Sequence, residues 1–535
     1  MLAKNLMTYD VVFVTPSYAP SLDQESIGTL ILAKKLELAG YSIRIVRFWE
    51  ASMKMYDDFK KDICEKILST HPKIVSFYCR GIEYHIMVDL ARELKSFSSN
   101  LYILFGGPQA ELVGEETLNQ FLYVDFVCCG EGENTIVPLV DSILEYKSTL
   151  DRIPGLMFRN ENGNVIKNQY PTFIPDNYYH DYNYYNLIPK SILLNSQIVT
   201  IDVGRGCPFA CTFCSTKSFW KQKFRLRNLR DILIEIDYVK NNFGNKIFSF
   251  SHDLFTANKY RVIDFCNIIE SIGYSIKWTC SSRVDCIDYE TIDRMVSSGL
   301  VGIYYGIETG SSRIQKLINK NINIQHCIDI VNYSTKKKIT VITSFIYGFP
   351  EETEEDLEQT FILVHKLMSI GADVQLHSLQ FERGTLIFEK YRDCLIFSRD
   401  CVPTTFGVDS LMPNIKKNLD LFSVFGDYPS QLRNNIKHLN TLHSICKIYP
   451  KSYVALFELL ISKGFKYTEI YMLLIFFVKD SLVHFEEARV NMTKSISVFI
   501  YETMISKLLN YENCTLKIIF STSELNILRN CIPYA

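Results

Sequence analysis

The chain carries no surplus of either charge. Its 535 residues include 57 lysines and arginines against 59 aspartates and glutamates, for a formal net charge of -2. No basic excess points to a nucleic-acid partner, and no acidic tail marks a disordered end. No apolar run is long enough to span a bilayer; the most apolar stretch, 470–478, is short and interrupted by Tyr471. The first apolar run, 11–14, follows Lys4 and Asp10 and lacks the build of a secretory signal. Internal repeats and low-complexity tracts are missing too. These absences predict a soluble cytoplasmic protein with no membrane span. Cysteine is plentiful at 16 residues but lacks a paired arrangement. A disulfide framework is unusual in so long a chain without a secretory signal. Cys64, Cys266, Cys327 and Cys446 stand singly in apolar runs and read as small buried hydrophobes.

What is present is an ordinary globular balance, 47% hydrophobic and 22% charged, with length for two or three domains. The N-terminal part alternates strand and helix signals. Strands are expected at 10–15, 42–46, 73–78, 101–105 and 125–129, with helices at 27–38, 57–68 and 86–94 between them. Such alternation implies a doubly wound parallel sheet over 1–149, with right-handed crossovers. Ligands of such sheets sit beyond the carboxyl ends of the strands. Those ends carry Thr15 to Tyr18, Cys79 to Gly81, Gly106 to Pro108 and Gly130 to Glu133. Residues 150–195 read as a linker, with a turn at Asn160 to Gly163 between two short strand candidates.

A second alternation fills 196–395. Strands are expected at 198–203, 246–250, 275–279, 302–306, 340–347 and 374–379, with helices such as 229–243 and 353–370 between them. Six βα units in this span suggest a partial (β/α)6 barrel, whose chemistry belongs at its strand carboxyl ends. Residues 396–535 read as mostly helical, with helices expected at 430–448, 452–463, 467–479 and 494–509.

One cysteine group is tightly clustered. Gly206-Cys207-Pro-Phe-Ala-Cys211-Thr-Phe-Cys214 is a C-x3-C-x2-C spacing just after the first barrel strand. Three thiolates on one short loop can hold three irons of a cubane cluster. No fourth cysteine stands close by, so one iron is left open to a small bidentate ligand. Structural zinc is the main competitor, but it wants four ligands, usually as two pairs. No second pair completes such a site, and the closest histidine is His252. The remaining cysteines, Cys394, Cys401, Cys446, Cys514 and Cys531, are too scattered for a second cluster.

This motif and its position resemble the radical S-adenosylmethionine (SAM) superfamily. The resemblance covers 196–395. It implies a [4Fe–4S] cluster on Cys207, Cys211 and Cys214, with SAM on the open iron and a 5′-deoxyadenosyl radical as the product of reductive cleavage. It implies SAM contacts from Phe213, from Ser251 and Asp253 after the second strand, from Arg283 after the third, and from Gly306 and Glu308 after the fourth. Ser251-His-Asp253 departs from the usual Gly-Gly-Glu at that place. Gly348-Phe-Pro350 with Thr353 reads as a structural turn and helix cap.

The N-terminal domain resembles the cobalamin-binding domain that precedes many radical SAM cores. The resemblance implies cobalamin contacts from Thr15, Pro16, Ser17, Tyr18, Tyr78, Cys79, Gly106, Gly107, Pro108, Gly130, Glu131, Gly132 and Glu133. The Asp-x-His-x-x-Gly signature that supplies a histidine to cobalt is absent here. The lower face of the corrin is therefore expected to be packed by Tyr78, Cys79 or Tyr18 instead. Both cofactors together imply methylation of an unactivated carbon or a phosphorus centre in a peptide or natural-product precursor. Two other readings stay open: a radical SAM rearrangement, cyclisation or epimerisation, and a non-catalytic iron–sulfur redox sensor. The family also implies an electron donor such as flavodoxin or ferredoxin. The C-terminal helices are expected to close over a small-molecule or peptide substrate.

Overall fold

The computed structural model describes residues 8–16, 26–48, 56–145, 149–179, 181–273, 275–401, 407–447 and 450–487, together with Met504. The helix expected at 494–509 lies outside these residues apart from Met504, as do Ser17 and Tyr18.

The first sheet has seven strands: β1 (Val11–Pro16), β2 (Ile43–Phe48), β3 (Ile74–Tyr78), β4 (Tyr102–Gly106), β5 (Phe126–Cys128), β6 (Leu156–Arg159) and β7 (Val165–Lys167). Their order is β2-β1-β3-β4-β5-β6-β7. The first five run parallel, and β6 and β7 add an antiparallel edge. Every residue of β1 is buried, as expected of a central strand covered by helices on both faces. The order reverses at β1, between β2 and β3, which opens a crevice above the carboxyl ends. The hairpin around Asn160 to Gly163 is therefore part of this sheet. The sheet runs past residue 149, and only the stretch after Lys167 crosses between domains.

The second sheet holds β8 (Ile198–Asp202), β11 (Ile247–Ser251), β12 (Lys277–Ser282), β13 (Leu300–Glu308), β14 (Thr340–Tyr347) and β15 (Asp373–Ser378). All are parallel and pair in chain order, and β15 does not pair with β8, so the barrel is open. Between β8 and β11, a short antiparallel pair joins β9 (Gly204–Arg205) to β10 (Arg225–Leu226). Strand alternation sorts the side chains. Val199, Phe248, Trp278, Ile303, Phe345 and Val374 pack outward into the helices. Thr200, Ser249, Thr279, Tyr304, Ser344 and Gln375 take the opposite face, so the lumen is polar.

After the barrel, a second short antiparallel pair, β16 (Ile396–Phe397) with β17 (Gly426–Asp427), brackets a segment that returns to the first domain. Val408, Leu411, Ile415, Phe422 and Phe425 join the core of the first domain. Gln109 Nε2 donates to the Leu421 carbonyl at 2.9 Å. The helix expected at 430–448 is split into Gln431–Asn435 and Leu439–Cys446. The latter packs on β15, and helices Pro450–Ser462 and Tyr467–Glu487 follow. Among the described residues no helix is long and apolar enough to cross a membrane.

Candidate functional site

The cysteine loop leaves β9 through Gly206. This residue has φ +88°, and a Cβ there would stand 1.9 Å from the Lys223 carbonyl oxygen, so glycine is required. The loop is held by backbone bonds from outside itself. Thr212 N donates to Ile318 O, and Ile387 N donates to Thr212 O, both at 3.0 Å. Asn319 Nδ2 donates to Ala210 O at 3.1 Å. Cys207, Cys211 and Cys214 are half-buried, whereas most other cysteines are fully buried.

Burial raises the Cys207 and Cys214 thiols, Cys214 to about 11, and the charge of Cys211 raises both further. Cys211 is thus the common neighbour of the other two. Arg283 braces the group. It forms a fork on Asp285 at 3.0 and 2.8 Å and donates to Lys320 O at 2.8 Å. Its guanidinium lies 3.9 Å above the Phe209 ring and donates to Cys211 Sγ at 3.7 Å. A cation beside the thiols favours the thiolate form that binds iron. Cys286 is a further half-buried thiol whose titration feels Cys207, a proximity the linear spacing concealed. Among the described residues no three His, Cys, Asp or Glu side chains converge as single-ion ligands. Three thiols on one loop beside a guanidinium are a donor set that fits a [4Fe–4S] cluster.

Above this loop lies a cavity of about 670 Å³ shared by both domains. From the first sheet it is lined by Tyr78, Gly106, Gly107, Pro108, Gly130, Glu131, Gly132 and Glu133. From the barrel side come Asp202, Gly204, Arg205, Trp220, Ser251, His252 and Asp253. Glycine makes the wall on the first side. Gly107 has φ +97°, and its Cβ would meet the Cys79 carbonyl and the Tyr78 ring at 2.9 Å. Gly132 would meet Leu32 at 2.9 Å. A glycine wall of this kind, beyond the carboxyl ends of a parallel sheet, fits a corrin.

Several expected residues fall elsewhere. The Cys79 thiol is turned into the apolar core with Phe77, Tyr84 and Phe105 and is fully buried, so it does not pack against a cavity ligand. Thr15 is buried at the end of β1, its hydroxyl on the Pro16 carbonyl, and neither residue lines the cavity. Phe213 packs edge-on to Phe349 at 6.3 Å with the Lys320 ammonium 6.0 Å from its ring. Asp253 exposes surface to the cavity and also accepts from the Gly206 amide at 2.9 Å, while its enclosure pushes its carboxyl up. Glu308 sits in the left-handed region at φ +72° and forms a buried ion pair with Lys320. Gly306 leaves room for that pair, since a Cβ there would stand 2.6 Å from Glu308 Oε1.

Residues that sequence reasoning passed over complete the wall. His252 Nδ1 accepts from the Leu254 amide at 2.8 Å, and burial lowers its pKa to about 3, so the ring is neutral. Arg205 and Arg225 bridge to Glu131 across the cavity edge.

The parallel sheet with a glycine cradle, the open barrel and the cysteine loop together define a radical SAM enzyme with a B12-binding domain. Family models agree: that of the radical SAM superfamily matches 201–364, and that of the B12 binding domain matches 19–140. An uncharacterized methyltransferase of Pyrococcus horikoshii is 32% identical over 57% of this chain and 67% of its own length. An anaerobic magnesium-protoporphyrin IX monomethyl ester cyclase of Cereibacter sphaeroides is 26% identical over 66% of this chain and 59% of its own length. The chain thus spans about two thirds of the length of these curated relatives. A solved structure of the cobalamin-dependent SAM radical enzyme OxsB, with aqua-cobalamin and SAM bound, shares the fold at TM-score 0.58 and 14% identity. It covers 98% of this chain and 83% of the other. TsrM from Kitasatospora setae, a radical SAM methyltransferase, shares it at TM-score 0.59 and 15% identity over 72% and 75%. The chain belongs to the family of cobalamin-dependent radical SAM enzymes.

Proposed function

We propose that this enzyme methylates an unactivated carbon or a phosphorus centre of a peptide or natural-product precursor held in the shared cavity. One observation carries the reading: the strand ends of both domains and the residues flanking the cysteine loop, Arg205 and Ser215, line a single cavity. When bound, the cluster supplies the electron that cleaves SAM, and cobalamin carries the methyl group. The chain's own residues do the rest. Cys207, Cys211 and Cys214 would hold the cluster, and Arg283 keeps Cys211 in place. Ser251 and Asp253 offer an acceptor-rich edge to the sulfonium ligand. Gly106 to Pro108, Gly130 and Gly132 would form the corrin seat, with Tyr78 packed beneath it. The neutral His252 and the buried aromatic wall exclude water from a reactive radical.

Relatives named as methyltransferases support the reaction class. A cytidylyl-2-hydroxyethylphosphonate methyltransferase of Streptomyces wedmorensis is 25% identical over 42% of this chain and 48% of its own length. The cyclase relative favours a second reading, in which the radical closes a ring and no methyl group is transferred. The electron would come from a flavodoxin- or ferredoxin-like donor.

Anaerobic purification with a visible spectrum tests the cofactors. Incubation with SAM and titanium(III) citrate then separates the readings. A methyltransferase yields S-adenosylhomocysteine together with 5′-deoxyadenosine, whereas a cyclase yields 5′-deoxyadenosine alone. Absence of both products rejects the proposal.

A further inference from the structure

Glu131 stands one residue beyond the left-handed Gly130, and only 4% of its surface is exposed. Its carboxylate accepts from Arg205 Nη1 at 2.9 Å, from Arg225 Nη1 at 2.7 and 2.9 Å, and from the Ile174 amide at 2.6 Å. Arg205 also donates to Glu133 at 2.7 Å and lies 5.2 Å from the Tyr178 ring centre. Arg225 is sandwiched between Phe173 and Trp220, at 4.9 and 5.4 Å. The two arginines face each other directly in the β9–β10 pair. Arg205 stands two residues before Cys207. A single buried carboxylate thus joins the loop at the corrin seat to the clip from which the cluster loop departs.

Resting on the function proposed above, we infer that Glu131, Arg205 and Arg225 are positioning residues: a buried latch that sets the separation of the two cofactor sites. Buried ion pairs add little net stability, because desolvation offsets their attraction, but breaking one leaves an uncompensated charge. The latch therefore penalises every other alignment of the two domains more than it stabilises the fold. Alignment matters here because the glycine loops of the first domain would hold one cofactor and the cysteine loop the other, and the proposed reaction needs both within reach of one substrate. A displacement of about 1 Å at a reacting centre costs roughly a hundredfold in rate. The backbone on both sides is rigid enough to transmit the constraint. A Cβ on Gly130 would stand 2.7 Å from Pro171, and one on Gly204 2.6 Å from the Arg225 carbonyl.

The test uses two variants of the full chain. Glu131→Gln removes the shared charge. Arg205→Lys keeps the charge and removes the fork that spans Glu131 and Glu133, so it guards against a simple failure to fold. In the chain without cofactors, hydrogen–deuterium exchange should rise about tenfold or more at both 130–133 and 204–207 in each variant, while β1 and β3 stay protected. Exchange that rises at one segment only, or at neither, overturns the latch. In the reconstituted chain with SAM and titanium(III) citrate, 5′-deoxyadenosine should stay within about threefold of the unaltered protein, and S-adenosylhomocysteine should fall about tenfold or more. Equal losses of both products, or no loss of either, also overturn it. If the unaltered chain makes neither product, the functional reading fails, and the exchange result alone decides the latch.

Discussion

The Gly206 amide donates to the Asp253 carboxylate at 2.9 Å, which ties the root of the cysteine loop to the end of the next barrel strand. This bond forms only because Gly206 holds φ +88° against the Lys223 carbonyl. Replacing it with alanine strains a left-handed residue by about 1–3 kcal/mol and drives a methyl group into backbone. Gly206→Ala should therefore lose most of its iron and acid-labile sulfide while keeping its cobalamin absorbance. A variant with undiminished iron content would show that the loop root is not what presents the thiols.

The corresponding residue on the other side is Gly107. Its φ of +97° and its 2.9 Å clearance from the Cys79 carbonyl leave no place for a side chain. Gly107→Ala should push the turn toward the cavity and lower cobalamin retention after gel filtration, with iron unchanged. Together with Gly206→Ala it makes a pair of opposite losses. Joint loss of iron and cobalamin in either variant would instead indicate global misfolding, which circular dichroism would report.

Both sheets were legible in the sequence because their strands are continuous apolar runs or clean alternations, and the cysteine loop because its spacing is local. Long-range pairing was not legible. Glu131 lies 74 residues from Arg205 and 94 from Arg225, and no local pattern announces that they meet. Lys320 sits in a loop between Asn319 and Asn321, and nothing local announces that it is buried against Glu308. Cys79 was misassigned because a strand end carries residues of both faces, and its side chain takes the core face. The 407–425 segment was expected in a separate helical region. Its apolar residues instead complete the first domain, a partnership that helical periodicity alone cannot specify.

The Glu308–Lys320 pair lends itself to a double-mutant cycle. Both residues are 7% exposed, and Glu308 also carries left-handed backbone strain. Lys320→Met alone strands a buried carboxylate and should cost about 3–5 kcal/mol in urea unfolding. Glu308→Gln with Lys320→Met removes both charges and should recover about half of that loss or more. Additive losses in the double variant would mean that the two groups do not compensate each other.

The pH dependence of stability should carry the mark of His365. Four side chains form a buried chain of hydrogen bonds on the outer face of the barrel, and its polarity follows from one carbonyl. His443 Nε2 meets the Val374 carbonyl at 3.1 Å and must donate, so its Nδ1 accepts from the Tyr453 hydroxyl at 3.0 Å. The Tyr453 oxygen then accepts from Tyr471 at 2.6 Å, and the Tyr471 oxygen accepts from His365 Nε2 at 3.2 Å. His365 Nδ1 is left buried without a partner among the described residues. Burial, aided by the nearby His443, lowers the His365 pKa to about 3. An unfolded histidine titrates near 6.5. Between these values the unfolded chain binds a proton at this residue and the folded chain does not, so its contribution to stability falls as pH falls. His365→Phe keeps the stacking on Phe457, now at 4.2 Å between ring centres, and removes the titration. The difference in unfolding free energy, unaltered protein minus variant, should therefore decrease by about 1.4 kcal/mol for each pH unit once well below 6.5. Paired urea titrations across that acid range measure the slope. A difference independent of pH would mean that His365 is already protonated in the folded protein, with Nε2 still donating to Tyr471 and Nδ1 a second donor.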